Sequence, residues 1–261
     1  MTAHAGSMVA TPRIVKRAAT LPRRLLETVD RRFLGSVASV ATTEPVVALT
    51  FDDGPHPEDT PRLLHLLQQY DAKATFFMLG VLAARYPNVL RTVAEAGHAI
   101  GNHTWDHPSL PLLGGRQQGR QISACAKAIA PHGKKLFRPP YGHQNWSSRL
   151  QAWAHGYEVI AWSGHAEDWL DLGATELATR IAAKIQSGAI ILLHDNLYRS
   201  VVGSSDGREP LLAALDVTLQ RFSGDYRFVT VPQLLRHGPA RRKIWFNQPD
   251  REWLARLQVQ T

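Results

Sequence analysis

The sequence has 261 residues, 44% of them apolar, which is enough to bury one sizeable core in a single domain. Its one cysteine, Cys125, excludes an intramolecular disulfide framework. The formal net charge of +8 belongs to the two ends, since residues 1–32 have a net of +5 and residues 236–261 a net of +4. This distribution argues against a nucleic-acid-binding domain, which would concentrate basic residues on its own folded face.

No targeting or membrane-spanning segment is predicted. The first 45 residues lack the continuous apolar segment of a secretion signal, and no stretch approaches the roughly 20 apolar residues of a spanning helix. The chain is therefore predicted to be soluble and cytoplasmic. Residues 13–34 alternate apolar side chains with arginine pairs, which is typical of a basic amphipathic helix. Packing of this helix against the body is favoured, and weak contact with a membrane surface is the alternative.

The first predicted strand, residues 46–51, is an apolar run rich in β-branched residues that stops at Asp52-Asp53-Gly54-Pro55. Neighbouring side chains of a strand point to opposite faces, so the two carboxylates can serve different tasks. A helix follows with Thr60 as its predicted cap, and then a second buried strand at 74–79.

Helices and strands continue to alternate along the chain. Further strands are predicted at 98–101, 135–138, 158–163, 189–193 and 226–230, with helices at 87–97, 116–130, 146–156, 175–187 and 211–222. Such alternation predicts parallel strands joined by crossovers. Because no Gly-rich dinucleotide fingerprint is present, an α/β barrel of six or seven units is favoured over an open doubly wound sheet.

Polar clusters follow the carboxyl ends of five predicted strands, and these ends converge on one face of a parallel barrel. The clusters are Asp52-Asp53, His103 with His107, Arg138, Asp168-Trp169 and His194-Asp195. Their common position predicts one active site on this rim.

A metal site is predicted from His103, His107 and Asp53. The two histidines are four residues apart, which in a helical turn places both imidazoles on one face, and Asp53 would complete a set of two histidines and one carboxylate. The alternative is a pair of partly exposed histidines beside a turn. The zinc-protease helix motif is excluded because Thr104 stands where that motif requires glutamate.

Five motifs stand in the order that characterises the polysaccharide deacetylase family, carbohydrate esterase family four, and the sequence most resembles the rhizobial chitooligosaccharide deacetylases. The motifs are Thr-Phe-Asp-Asp-Gly-Pro at 50–55, His-Thr-Trp-Asp-His at 103–107, Arg-Pro-Pro-Tyr-Gly at 138–142, Asp-Trp at 168–169 and Leu-Leu-His-Asp at 192–195. The resemblance covers roughly residues 45–235, which we interpret as the catalytic domain. Residues 1–44 and 236–261 are interpreted as basic helical extensions.

The resemblance implies a distorted (β/α)7-type barrel and the metal-dependent removal of acetyl groups from sugars. It implies that Asp53, His103 and His107 bind a divalent metal, most commonly Zn²⁺, with Co²⁺, Mn²⁺ and Ni²⁺ as alternatives. Asp52 matches the general base of the family, and Arg138 matches the residue that holds that base.

The remaining family positions concern the acetyl group and the leaving amine. The backbone N–H of Tyr141 matches the oxyanion donor, and His194 matches the general acid. Trp169 and Leu192 match the apolar pocket for the acetyl methyl group, with Pro140 predicted to contact substrate beside them. The implied partner is an acetylated amino sugar.

One position departs from the family pattern. Relatives usually carry aspartate where this sequence has His165, and that aspartate is expected to polarise the acid histidine. His165 could partner His194 as a neutral hydrogen-bonding group, or Asp168 or Glu167 could replace the missing carboxylate, or the enzyme could be slow. We favour the second interpretation and include Asp168 among the predicted catalytic residues.

The sequence therefore predicts a metal-dependent hydrolase that removes N-acetyl groups from N-acetylglucosamine-type sugars in an oligosaccharide or glycoconjugate. The alternatives are a metal-dependent amidase for non-sugar amides and a catalytically weak carbohydrate-binding member of the family. No sequence feature indicates an oligomeric state.

Overall fold

The computed structural model describes residues 34–198, 207–247 and 249. The basic helix predicted at 13–34 lies outside these residues except for Leu34, as does the basic segment after residue 249. The prediction of membrane-surface contact through these segments therefore stays a prediction. Among the described residues, no helix combines the length and the apolar character that crossing a membrane requires.

The strands alternate with helices, as the sequence predicts. The strands are β1 Gly35–Val40, β2 Val46–Asp52, β3 Ala74–Met78, β4 Ala99–Asn102, β5 Gly133–Phe137, β6 Glu158–Val159, β7 Gly164–His165, β8 Ile190–His194, β9 Arg227–Phe228 and β10 Ala240–Ile244. The helices are α1 Asp59–Gln69, α2 Gly80–Arg85, α3 Pro87–Glu95, α4 Gly115–Ala128, α5 Trp146–Ala154, α6 Ala174–Ala182, α7 Glu209–Phe222 and α8 Val231–Leu234.

Seven parallel strands form the main sheet in the order β6-β5-β4-β3-β2-β8-β7, and β9 pairs with the start of β2. The sheet curls into a half-barrel within a single domain, which confirms the predicted α/β barrel fold. All pairings in this sheet are parallel, and wherever consecutive strands of the chain pair with each other, the connection between them contains at least one helix.

Strand β2 lies near the middle of the order and is buried along its whole length. Val47, Leu49 and Phe51 belong to the core cluster that includes the helices, whereas Val46 and Ala48 belong to a second cluster with residues of β3, β5 and β8. This alternation follows from the period of two in a strand. It places Asp52 on the same face of β2 as Ala48, inside the half-barrel.

Strands β1 and β10 pair with each other in an antiparallel ribbon, and we call this pair the β1–β10 ribbon. The C-terminal extension was predicted to be helical, but this described part of it is a strand, since β1 supplies its backbone hydrogen-bond partners. The main-chain oxygen of Val37 in β1 accepts a hydrogen bond from the N–H of Ala161 at 2.8 Å, and the N–H of Val40 donates to Gly188 at 2.9 Å. The ribbon is therefore hydrogen-bonded both to the chain that follows edge strand β6 and to the chain that precedes β8.

The strand predicted at 158–163 is shorter in the structure because its chain changes partner. Residues Glu158 and Val159 pair with β5, and then Ile160 bridges to Val37 of β1. Helix α2 is a short element that the sequence analysis did not predict, between β3 and α3.

Candidate active site

The polar residues predicted on the rim meet at the carboxyl ends of the central strands. Asp52 closes β2 and is the register partner of His194 on β8, and Phe77 on β3 lies opposite Asp52 on the other side. His103 follows β4 directly, and Arg138 follows β5 directly. Parallel register thus brings residues that are far apart in sequence to one rim.

Asp53, His103 and His107 form the candidate metal centre, and all three are buried. One ligand atom from each lies within 4.8 Å of the others. The Oδ1 atom of Asp53 lies 3.4 Å from Nε2 of His103 and 3.1 Å from Nε2 of His107. This convergence of one oxygen and two nitrogen donors is the arrangement that transition metals such as zinc prefer.

The orientation of His103 is fixed by its second ring nitrogen. Its Nδ1 lies 2.7 Å from the main-chain oxygen of Arg138. Because a carbonyl oxygen only accepts hydrogen bonds, Nδ1 carries the proton and Nε2 presents its lone pair to Asp53 and His107. In addition, Oδ1 of Asp53 is buried without a hydrogen-bond partner. The residues present therefore fit a bound divalent metal.

The predicted helical turn around His103 and His107 is wrong. Residues 103–107 form an irregular loop in which Thr104 and His107 have φ values of 73° and 64°. These left-handed conformations turn the chain back on itself and bring the two imidazole centroids to 5.1 Å. Asp53 is also left-handed, at φ 73°, so two of the three candidate ligands have the strained backbone that occurs at functional sites.

The charge on Asp53 is set by its neighbours. Burial acts to raise the pKa of its carboxyl group, but His107 and His103 hold that pKa well below its usual range. Asp53 is consequently an anion over the working pH range, as a metal ligand must be.

The neighbouring carboxylate, Asp52, has a different partner. The Nη1 atom of Arg138 donates to Oδ1 of Asp52 at 2.7 Å and to Oγ1 of Thr50 at 2.8 Å. The guanidinium group is fully buried, stacks 4.1 Å from the Phe77 ring centroid and donates to the main-chain oxygens of residues 160 and 161. Burial lowers the pKa of Arg138, and Asp52 opposes that shift. Arg138 is thus itself held by several contacts, and its hydrogen bond to Asp52 fixes the orientation of that carboxylate.

His194 is paired with Asp168. Its Nδ1 lies 3.0 Å from Oδ1 of Asp168, and its N–H donates to Oδ2 of the same carboxylate at 2.9 Å. Burial acts to lower the pKa of His194, but Asp168 raises it to about 9. At neutral pH His194 is therefore protonated and able to donate a proton from Nε2.

Arg208 is a part of the site that the sequence analysis missed. Its guanidinium group is bonded to Oδ2 of Asp168, to the main-chain oxygen of Asp168 at 2.9 Å and to that of His194 at 3.0 Å. Burial acts to raise the pKa of Asp168, and His194 and Arg208 together hold it below its usual value. Arg208 lies just before α7, 40 residues after Asp168, and belongs to none of the five motifs, so no local pattern in the sequence indicates that the two residues meet.

His165 does not take the place of the expected aspartate. Its ring lies 5.4 Å from that of Trp169 at an angle of 31°, and its Nδ1 is buried without a hydrogen-bond partner. Trp169 in turn packs edge-on against His194 at 5.5 Å. Glu167 forms an ion pair with Arg180. Among the three candidates considered from the sequence, Asp168 is the one in contact with the imidazole of His194.

Thr60 has a different role from the predicted helix cap. Helix α1 begins at Asp59, and the hydroxyl of Thr60 donates to the carboxylate of Asp195 while accepting from the N–H of His56 at 2.8 Å. Burial raises the pKa of Asp195 to about 7. Asp195, the residue after His194, is thus hydrogen-bonded to the start of α1, and this bond holds the end of β8 close to α1.

The residues predicted to contact the acetyl group lie around the candidate metal centre and His194. Tyr141 has φ 57° in the turn Pro140–Gly142, and its ring lies 4.4 Å from that of His107. Pro140 is buried at the start of that turn. Leu192 is 5% exposed and shares a face of β8 with His194, and the ring of Trp169 packs edge-on against that of His194. The structure therefore brings Tyr141 to the candidate metal centre, and Trp169 and Leu192 to His194.

Comparison with known proteins agrees with this geometry. The family described as polysaccharide deacetylase matches residues 39–160. A peptidoglycan-N-acetylglucosamine deacetylase of Bacillus cereus is 36% identical over 202 residues, which are 76% of this chain and 92% of the relative. The chain belongs to the polysaccharide deacetylase family. A chitooligosaccharide deacetylase of Azorhizobium caulinodans is 37% identical over 70% of this chain and 90% of its own length.

Solved structures of the polysaccharide deacetylase family share the fold. The Bc1960 peptidoglycan N-acetylglucosamine deacetylase has a TM-score of 0.71 at 30% identity, covering 83% of this chain and 99% of its own. The family 4 carbohydrate esterase of Streptomyces lividans, solved with acetate, has a TM-score of 0.65 at 30% identity, covering 80% and 100%. The resemblance stated from the five motifs is confirmed.

The comparisons also confirm the predicted enzyme class. The relatives are carbohydrate deacetylases that act on N-acetyl amide bonds, and the family is metal-dependent. The prediction of a carbohydrate N-deacetylase fits these relatives, and the alternative of an amidase for non-sugar amides does not.

Proposed function

We propose that this chain removes the N-acetyl group from an N-acetylglucosamine-type sugar in an oligosaccharide or glycoconjugate, and that chitooligosaccharides serve as substrates. The observation that carries the proposal is that two adjacent carboxylates have different partners. Asp52 pairs with the guanidinium group of Arg138, whereas Asp53 contacts the imidazoles of His103 and His107. Peptidoglycan and chitooligosaccharide deacetylases among the relatives support a substrate with an acetylated amino sugar.

We propose Zn²⁺ as the metal held by Asp53, His103 and His107, with Co²⁺, Mn²⁺ and Ni²⁺ as competing ions, because two imidazoles and one carboxylate form a typical zinc donor set. When bound there, a divalent metal supplies Lewis acidity for the attacking water and the acetyl carbonyl oxygen.

The protein residues handle the protons. Asp52 accepts a proton from the water that attacks the acetyl carbon, and Arg138 keeps the carboxylate aimed at that water. The new C–O bond forms as the carbonyl π electrons move onto oxygen, where the N–H of Tyr141 donates to the developing charge. His194, protonated because Asp168 raises its pKa to about 9, then donates a proton to the amine as the C–N bond breaks.

The remaining site residues bind and orient the acetyl group. We assign Trp169, whose ring packs against His194, and the buried Leu192 to an apolar wall for the acetyl methyl group, and the buried Pro140 beside Tyr141 to a further substrate contact. Exclusion of water from this wall strengthens the electrostatic contacts of Asp52 and His194 with the reacting atoms.

The experiment that tests the proposal is acetate release from an N-acetylglucosamine pentamer by protein stripped with a chelator, with zinc and then cobalt added back. We expect metal addition to restore release in the wild type. Asp52→Asn should bind zinc normally yet lose at least about a hundredfold in kcat, because the base is absent. Asp216→Asn, which removes a carboxylate from the outer helix α7, should match the wild type. Undiminished release by stripped protein or by the Asp52→Asn variant would refute the proposed function.

A further inference from the structure

The β1–β10 ribbon lies outside the five motifs, yet it holds the chain that carries Tyr141. The N–H of Gln144 donates to the main-chain oxygen of Asn247 at 2.8 Å, just after β10. The side-chain Nε2 of Gln144 donates to Oγ of Ser36 in β1 at 3.0 Å. Arg149 donates to the main-chain oxygen of Gly35 at 2.9 Å. Strand β1 and the residues just after β10 are thus hydrogen-bonded to the segment that follows the Tyr141 turn.

An aromatic pair packs directly against this turn. Trp245, the residue after β10, lies 4.7 Å from Trp162 between ring centroids. A Cβ built on Gly142 would lie 2.9 Å from Cη2 of Trp162 and 3.4 Å from Nε1 of Trp245. The two indoles therefore fill the space against Gly142, and only a residue without a side chain fits between them and the turn.

The turn has a conformation that needs outside support. Tyr141 has φ 57° and Gly142 has φ 67°, so two successive residues are left-handed. For a non-glycine residue such as Tyr141 this conformation costs energy and persists only where the surroundings enforce it. Trp162 also lies 5.6 Å over Arg138, so the same indole packs against the residue that holds Asp52.

We propose that Trp245 is a positioning residue for deacetylation, which holds the Tyr141–Gly142 turn so that the N–H of Tyr141 faces the developing oxyanion. The inference rests on the proposed function, and Trp245 acts through Tyr141 without contacting the reacting atoms. It assigns the β1–β10 ribbon to the active-site architecture, although the ribbon carries none of the five family motifs.

The test compares Trp245→Ala and Trp245→Phe with Lys243→Ala, an exposed neighbour on β10. Hydrogen exchange of backbone amides is measured in the segment 138–149, together with kcat and KM for the N-acetylglucosamine pentamer and the affinity for zinc. In Trp245→Ala we expect faster exchange at residues 141–144 and a kcat lowered about tenfold, with KM and zinc affinity within about twofold of the wild type. Trp245→Phe should restore most of kcat, and Lys243→Ala should match the wild type.

Unchanged exchange at 141–144 in Trp245→Ala would overturn the inference, as would a loss of zinc affinity equal to the loss in kcat. If Trp245→Ala does not fold, Trp245→Leu replaces it, because an apolar side chain keeps part of the packing against Trp162, and the same two measurements decide the outcome. A wild-type protein that releases no acetate would overturn the proposed function, and the exchange measurement would then decide on the positioning of the turn by itself.

Discussion

At the scale of single residues, each of the three buried carboxylates of the site contacts a different set of nitrogen-bearing side chains. Asp52 bonds to Arg138, Asp53 faces two imidazoles, and Asp168 bonds to His194 and Arg208. Each carboxylate is buried, so each requires a cation or a donor at close range to remain charged. Under the proposed function, this pairing leaves Asp52 to accept a proton, Asp53 to bind metal and Asp168 to raise the pKa of His194.

The partnership of Asp168 with His194 predicts a pH effect. The acid form of His194 is present below its pKa of about 9 and is lost as pH rises through that value. Asp168→Asn removes the charge that raises this pKa, so the alkaline limb of the kcat–pH profile should move to lower pH by at least about one unit.

Glu167→Gln is the matched control for that change, because the neighbouring carboxylate pairs with Arg180 and not with His194. Its profile should coincide with that of the wild type. An alkaline limb that stays in place in Asp168→Asn would show that another group sets the proton affinity of His194.

The contact between Arg138 and Asp52 predicts a large effect on stability. Arg138→Met leaves the buried Asp52 carboxylate without its cation and should lower the free energy of unfolding by about 3–5 kcal/mol, measured by urea denaturation. The double variant Asp52→Asn with Arg138→Met should recover part of this loss, since no uncompensated charge then remains. Strictly additive effects of the two changes would contradict the coupling.

At the scale of secondary-structure elements, strand β2 organises the site because its side chains alternate. Odd-numbered residues from Val47 to Phe51 pack toward the helices, and Thr50 and Asp52 point inward to Arg138. The apolar run of β2 predicts its burial, and the polar residues after it predict the rim. This part of the site can be predicted from local sequence, because the apolar run ends where strand β2 ends and the polar residues begin there.

Strand β10 and the end of the predicted strand 158–163 could not be predicted from local sequence, because their pairing depends on residues far away in the chain. The strand β10 reads Ala-Arg-Arg-Lys-Ile and is mostly exposed, so it has no apolar alternation to mark it. Residues 158–163 read as one strand, but Ile160, whose N–H still donates to Phe137 of β5, also bridges to Val37 of β1, and only the three-dimensional arrangement determines that second pairing. Strand propensity depends on the neighbours a strand finds, and those neighbours lie far away in sequence here.

The junction between β1 and the start of β8 predicts a steric effect at Gly188. Its φ is 78°, and a Cβ there would lie 2.0 Å from the main-chain oxygen of Val40. Gly188→Ala should therefore lower the free energy of unfolding by well over about 1 kcal/mol, since both the backbone conformation and the space are unsuitable.

Two other glycines separate these causes. Gly156 has φ 74° with nothing within 4 Å of a built Cβ, so its alanine variant reports the cost of the conformation alone. Gly224 has neither a left-handed φ nor a neighbour within 4 Å, and its alanine variant should be close to neutral. Urea unfolding should rank the losses as Gly188, then Gly156, then Gly224, and equal losses at Gly188 and Gly156 would exclude the clash with Val40.

At the scale of the whole molecule, the candidate metal centre connects three loops that follow β2, β4 and β5. Asp53 and the pair His103 and His107 come from the first two, and the main chain of Arg138 after β5 orients His103. The structure brings Asp53, His103 and His107 together as the motifs predict, and their role as metal ligands stays a prediction. Arg208 was missed because its contact with Asp168 depends on how α7 meets the rim and has no spacing in sequence.

Metal binding to this centre should stabilise the entire domain. A metal present at a thousand times its dissociation constant adds about 4 kcal/mol, which for a domain of this size raises the unfolding midpoint by about 10 °C. We expect a chelator to lower the Tm of the wild type by this order and to leave the Tm of His107→Ala unchanged in thermal scans. An equal fall in both proteins would place the stabilising metal elsewhere.

The pairing of β1 with β10 also has a consequence for the order of events during synthesis. Gly35–Val40 leaves the ribosome roughly two hundred residues before its partner Ala240–Ile244. Domains of this size fold largely as units while the chain is being made, and contacts between distant segments close last. All five motifs are therefore translated before the segment that supports the Tyr141 turn exists. We therefore expect a nascent chain that ends before β10 to lack the support of the Tyr141 turn, and to deacetylate more slowly than a chain in which β10 has paired with β1.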